Sequence, residues 1–324
     1  MFTSADLLEK FNKYLSNLVF GKKPENLYEP IRYALALGGK RIRPLLLLMA
    51  YNLYRDDVDS ILSQAAGIEV YHNYSLLHDD VMDKSDLRRG KPTVYKRWGE
   101  STAILAGDAM LVMAYRLMTG SGGRYVGSVM RLFNETAMEI CEGQQLDMDF
   151  ETRSDVYEHE YLEMIRLKTS VLLACGLKVG ALLAEASEDD SRMLYDFGIN
   201  LGIAFQLKDD LLDVYGDPKV FGKPIGGDIL CNKKTYLLIQ ALRRGNVSQV
   251  KELEKWMGAK QFNPQEKIKS VTELFNQIGV RALCEDKIEH YTLMAELNLQ
   301  TVNVPEEKKV VLQDMMRQLM HREV

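Results

Sequence analysis

Apolar residues recur at three- and four-residue spacing along most of this 324-residue chain, the period of a helix with one buried face. Ile61, Leu62, Ala65, Ala66 and Ile68 keep that spacing ahead of one acidic motif. Met193, Leu194, Phe197, Leu201 and Ala204 keep it into a second. Proline interrupts helices, yet none of the eight prolines falls between Pro92 and Pro218. The interval therefore predicts long helices. No alternating run of β-branched residues ends at an Asn-Gly or Asp-Gly turn, so strands are not expected. The N-terminal stretch MFTSADLLEKFNKYLSNL has helical periodicity. It lacks the basic start and apolar run of a signal peptide. The tail from Glu306 predicts a final amphipathic helix.

Breaks are few. Gly38 to Pro44 (GGKRIRP) reads as a loop opening a helix, with Pro44 where its missing N–H costs nothing. Lys84 to Pro92 is a polar loop, Gly120 to Gly123 a flexible turn, and Gly216 to Asp228 a longer loop broken by glycines. No Pro/Ser/Gly-rich linker divides the chain, so one helical domain over residues 1–324 is expected. The most apolar stretch, Thr169 to Ala186, is short for a membrane span and contains Lys178 and two glycines. It is expected as a buried core helix, with no membrane span.

With 46% hydrophobic residues the chain can bury a large core. A net charge of −5 argues against a nucleic-acid surface, which calls for a concentrated basic stripe. The cysteines Cys141, Cys175, Cys231 and Cys284 form no CxxC pair and are expected as buried thiols in a reducing compartment. A soluble, cytoplasmic protein is the expectation.

The chemistry lies in a near-duplication. One copy reads YSLLHDDVMD, ending in Asp79, Asp80 and Asp83; the other reads AFQLKDDLLD, ending in Asp209, Asp210 and Asp213. On a helix the i and i+4 carboxylates stack, with the i+1 carboxylate beside the last. Three anions in one turn near a helix C-terminus repel one another and oppose the macrodipole. A hard divalent cation offsets this, and magnesium also shares carboxylates with substrate phosphates. One such motif reads as a solvated acidic face. Two, each inside an apolar helix, argue for metal. Lys40, Arg43, Arg88, Arg89, Lys168, Lys223 and Lys233 would each be surface charges alone. Taken with the aspartates they fit two diphosphate pockets, one bridged by metal and one held by Lys/Arg forks.

GGKRIRP, DDxxD followed by RRG, the Lys168-Thr169 pair, FQxxDD and a later Gly-Lys together resemble the trans-isoprenyl (polyprenyl) diphosphate synthase family, over almost the whole chain and in motif order. The resemblance implies an all-α fold, a single-domain bundle of long antiparallel helices around a deep central cavity, acting as a homodimer. It implies condensation of isopentenyl diphosphate with an allylic diphosphate (dimethylallyl, geranyl or farnesyl) to a farnesyl or geranylgeranyl product. It also implies three magnesium ions, with manganese able to substitute. At matching positions, both aspartate clusters would hold metal. Gly39, Lys40, Arg43, His72 and Arg89 would bind isopentenyl diphosphate, and Arg88, Lys168, Lys223 and Lys233 the allylic diphosphate. Thr169 and Gln206 would lie beside the developing carbocation. His78 can face either the metal shell or solvent, and Gln144 can face the cavity.

Product length is expected to depend on residues one and two turns before Asp79, namely Ser75, Tyr74 and Tyr71. In the family an aromatic five positions before the motif acts as a floor, which gives Tyr74 that role; its alternative is an ordinary core aromatic. Small Ser75 leaves both fifteen- and twenty-carbon products open. A medium-chain synthase is the nearest rival. A class I terpene cyclase would not need GGKRIRP or a second DDxxD. A non-catalytic subunit of a heteromeric synthase would be expected to have lost one cluster or the basic set.

Overall fold

The computed structural model describes residues 1–120, 122–217 and 225–321. Among these, helices account for every regular element except one two-residue hairpin. The fold is all-α, as the periodicity predicts. The described chain resolves into two compact units. The first comprises Met1–Asn134, Cys175–Arg192 and Asn303–Leu312, and the second comprises Glu135–Ala174, Met193–Val302 and Gln313–Val324.

In the first unit, α1 (Ser4–Asn17) starts at Thr3, whose hydroxyl accepts from the Asp6 N–H while Asp6 bonds back to the Thr3 N–H. This reciprocal cap satisfies donors that a helix start otherwise leaves orphaned. After α2 (Glu25–Ala36), α3 (Ile42–Asn52) begins at the GGKRIRP loop and buries every residue from Pro44 to Asn52. A helix apolar on all sides belongs at the centre of a core. The 21-residue α4 (Leu62–Met82) carries the first acidic motif at its C-terminal end. The short α5 (Val94–Trp98) precedes α6 (Glu100–Thr119), which turns Ala103, Ala106, Met110, Ala114 and Met118 inward. By length and composition α6 is also the one described helix apolar enough to cross a membrane.

The second unit contains α7 (Val126–Thr152) from Glu135 onward, α8 (Glu158–Ile165), a π-helical turn at Arg166–Ser170, and most of the 28-residue α10 (Glu188–Tyr215). Leu207, Leu211, Leu237, Phe150 and Phe275 lie in its buried core. The apolar stretch around residue 176 forms α9 (Val171–Leu183), thirteen residues long and largely buried. The tail folds as the helix Glu306–Met320.

Two expectations are corrected. The polar loop Lys84–Pro92 contains an antiparallel hairpin, β1 (Leu87–Arg88) paired with β2 (Lys91–Pro92). Its turn residues Arg89 and Gly90 have φ of +52° and +73°, the left-handed pair that a two-residue hairpin requires. Arg-Gly supplies here what Asn-Gly usually supplies. The cysteines are all free, but only Cys175 and Cys284 are buried; Cys141 and Cys231 are exposed. Cys141 follows buried Ile140 on α7 and falls on that helix's outer side.

Candidate active site

The first acidic motif does not present three equivalent carboxylates. Asp80 is 4% exposed, and the Arg88 guanidinium donates through Nε to both of its oxygens at 2.9 Å. Burial raises the Asp80 pKa, and the neighbouring Asp83 charge adds to this, while Arg88 works against both. Asp79 and Asp83, four residues apart, stay on the more open side of the helix. Arg88, expected on the allylic diphosphate, is thus already tied to the inner aspartate.

The second motif repeats the arrangement with a different partner. Asp210 is 4% exposed; buried Tyr161 donates its hydroxyl to Oδ2, and Gln206 Nε2 donates to Oδ1 at 3.0 Å. Burial and the Asp228 charge push the Asp210 carboxyl above its ordinary range. Asp209 and Asp213 are half-buried on the other side of the turn. Asp213 Oδ2 accepts the Asp228 N–H at 2.9 Å, which ties α10 to the start of the helix Gly227–Leu230. In both motifs the inner aspartate is secured by a side chain from elsewhere in its own unit, Arg88 for Asp80 and Tyr161 for Asp210.

Cations gather in each unit. In the first, Arg43 donates to His72 Nε2 at 3.2 Å; a guanidinium can only donate, so that nitrogen is unprotonated. Burial, then the charges of Arg43, Arg89, Arg88 and Arg41, hold the His72 pKa well below its usual value. Four arginines around one neutral imidazole make a strongly anion-attracting environment. Gly39 (φ +135°) lies against the Arg89 guanidinium, where a Cβ would come within 2.7 Å of Nη2. Beneath this group Arg41 forms a buried ion pair with Glu69 and donates to the Leu35 carbonyl at 2.8 Å. Asn73 Nδ2 adds a 2.9 Å bond to Glu69.

In the second unit Lys168 donates to Asp147 at 2.7 Å, and Lys233 Nζ lies 3.8 Å from the same carboxylate. Burial would raise the Asp147 pKa, but the two ammonium charges outweigh it and hold the carboxyl below its ordinary range. One carboxylate thus spaces two lysines expected on the same diphosphate. Lys168 and Thr169 sit on the π turn, which α7 and α10 can approach only at glycines. A Cβ on Gly143 would meet the Lys168 nitrogen at 2.4 Å, and one on Gly202 would meet Ser170 Cα at 2.5 Å. Single π turns often occur at functional positions. Thr169 donates to Gln206 Oε1 at 3.1 Å. Asp210 accepts the amide nitrogen of Gln206, so the orientation of that amide is fixed: its oxygen faces Thr169.

Tyr74 lies in an aromatic cluster. Its ring meets Tyr71 edge-on at 5.3 Å and His78 at 4.8 Å, and Tyr71 in turn packs on Phe133 at 5.2 Å. Ser75 Oγ bonds the His72 carbonyl at 3.0 Å. His78 points away from the aspartates towards α6, 3.1 Å from the Ile104 carbonyl and over Gly107, where a Cβ would come within 2.1 Å of it. Gln144 Oε1 is buried with no hydrogen-bond partner among the described residues. Lys40 lies on the loop before α3, and Lys223 falls outside the described residues.

Sequence reasoning missed Arg41, Glu69, Asp147, Tyr161 and Asp228. Arg41 sits inside GGKRIRP, so that motif was the available signal; the others are single polar residues in ordinary helical or loop contexts. Among the described residues no three His, Cys, Asp or Glu side chains converge tightly enough to hold a bare ion. Asp79 with Asp83, and Asp209 with Asp213, offer carboxylates one helical turn apart. Such a set suits a hard cation that completes its shell with water and phosphate oxygens.

Comparison with known proteins points the same way. The family model described as Polyprenyl synthetase matches residues 24–275. The short chain isoprenyl diphosphate synthase of Methanocaldococcus jannaschii is 39% identical over 275 residues, 85% of this chain and 83% of that protein. The geranylgeranyl diphosphate synthase of Saccharolobus solfataricus is 36% identical over 312 residues, 93% of each. A crystal structure of a geranylgeranyl pyrophosphate synthase superimposes with a TM-score of 0.95 at 45% identity, covering 100% of both chains.

Proposed function

The chain belongs to the polyprenyl synthetase family, and from that premise we propose a magnesium-dependent trans-prenyltransferase that joins isopentenyl diphosphate to an allylic diphosphate, giving a short-chain all-trans prenyl diphosphate of fifteen or twenty carbons. The observation that carries this reading is the repeated motif geometry, an inner aspartate secured by Arg88 or Tyr161 and two further carboxylates one helical turn apart on another side of the helix. Asp79 with Asp83, and Asp209 with Asp213, would hold the metal. When bound, magnesium neutralises the diphosphate as its C–O bond ionises.

The chain's own residues supply the rest. Lys168 and Lys233, spaced by Asp147, would grip the allylic diphosphate and stabilise the charge it gains on leaving. Thr169 Oγ1 and the fixed Gln206 Oε1 offer lone pairs to the allylic cation without offering a nucleophilic water. The arginines around His72, with Lys40, would bind isopentenyl diphosphate. Its double bond attacks the cation, and the released diphosphate takes the departing proton. The two units would serve one catalytic domain, a reading supported by a family match that spans residues of both. The exposed Leu105 (59%) and Val112 (61%) on α6 are the face by which we expect a second copy to dock. Four free cysteines suit a cytoplasmic location.

Incubation with isopentenyl diphosphate and each allylic primer should give elongated prenyl alcohols after dephosphorylation, and EDTA should abolish them. No elongation with any primer would overturn the proposal. Tyr74→Ala should lengthen the product by at least one isoprene step, since removing an aromatic ring opens space where the chain would grow. An unchanged chromatographic product distribution would remove Tyr74 from that role.

A further inference from the structure

Lys267, on the helix Pro264–Ile278, is 1% exposed. Its ammonium donates to Asn232 Oδ1 at 2.7 Å and to the Leu230 carbonyl at 3.3 Å, and it lies 4.3 Å from the centre of the Phe262 ring. These partners are an amide, a peptide oxygen and an aromatic face, whereas a buried lysine ordinarily sits against a carboxylate. Lys267 lines a mainly apolar cavity together with Asp228, Asn232, Lys233, Trp256 and Phe275. An apolar side chain of similar length would fill that space at lower desolvation cost. It could not donate to two oxygens of the same turn.

That turn carries the diphosphate lysine. The helix Gly227–Leu230 ends there, and Asn232 takes a left-handed conformation (φ +54°) that its side chain secures twice, by accepting from Lys267 and by donating to the Met257 carbonyl at 3.0 Å. Lys233 follows directly. Its N–H bonds the Asp228 carbonyl at 2.9 Å, and its ammonium reaches towards Asp147. A non-glycine residue at positive φ persists only where its surroundings over-determine it.

We propose that Lys267 is a positioning residue: its ammonium pins the turn 227–232 and thereby sets where Lys233 presents its charge to the allylic diphosphate. The inference rests on the assignment of Lys233 to that diphosphate.

The test uses steady-state kinetics of the full chain with Lys267→Met, Lys233→Ala and the double variant, varying each substrate separately. Lys267→Met, close to volume-conserving, should raise the KM for the allylic substrate by about tenfold, the scale of one misplaced charge-assisted contact. The KM for isopentenyl diphosphate should stay within about twofold, since a residue acting through Lys233 touches only one of the two sites. The double variant should show no more loss than Lys233→Ala alone, because the two act as one unit. Equal effects on both KM values, no effect on either, or additive losses would overturn the inference. If Lys233→Ala raises the allylic KM and Lys267→Met does not, the inference fails while the assignment stands. If Lys233→Ala leaves it unchanged, the assignment itself fails. Should Lys267→Met lose its helical circular dichroism, Asn232→Gly carries the same expectation, since it keeps the positive φ and removes the oxygen Lys267 holds.

Discussion

Replacing Asp79 by alanine should lower kcat by at least about 10³-fold at saturating magnesium and substrates, the scale on which removing a group that stabilises transition-state charge is felt. Asp79 and Asp83 stack one helical turn apart at the end of α4, so under the proposed role removing the first would halve the carboxylates that this motif offers a cation. The loss should fall on kcat more than on KM, because the charge that the cation meets grows as the C–O bond breaks. Single-turnover rates against the magnesium concentration check this. A loss under about tenfold, with an unchanged magnesium dependence, would remove Asp79 from the metal-binding set. The contrast with Asp80 is informative. Asp80→Asn keeps the shape and still accepts one bond from Arg88, so its effect should be smaller and should appear in stability as well as rate.

Glu69→Ala should destabilise the fold by about 3–5 kcal/mol, because it strands the Arg41 guanidinium in a buried site. Arg41 and Glu69 are 9% and 2% exposed, and after the change Arg41 would keep only its bond to the Leu35 carbonyl. A fall in the thermal midpoint on the order of 10 °C is expected, read by circular dichroism. Replacing both partners, Arg41→Met with Glu69→Leu, should recover much of that loss, since the penalty belongs to the unpaired charge and not to the missing pair. A midpoint unchanged in the single variant would show that the pair contributes nothing to the fold.

Most of the architecture was legible because helical period, proline spacing and acidic motifs all pointed to one answer, and α4 and α10 carry the two motifs at their C-terminal ends as read. The roles within each motif were not legible. Spacing puts Asp80 and Asp210 about 100° around the helix from their predecessors, but whether that direction is inward depends on which helices pack alongside. Asp147 and Tyr161 lie far in sequence from the groups they serve, in helices whose patterns look ordinary. The hairpin at Leu87–Pro92 escaped notice because Arg-Gly was not among the expected turn pairs. The exposure of Cys141 was hidden because a thiol's preference for the interior is a tendency that its place on a helix overrides.

The π turn at Arg166–Ser170 has an implication for how chains of this design can vary. A π turn amounts to one residue inserted into a regular helix. Deleting a single residue there would restore ordinary winding and re-aim the side chains inside the turn, carrying Lys168 away from Asp147 and Thr169 away from Gln206 at one stroke. Such a deletion would leave hydrophobic content and net charge almost untouched, so neither composition nor solubility would reveal the damage. Length changes in this lineage are therefore expected to accumulate in the loops, while the count of residues between Glu158 and Leu183 stays fixed.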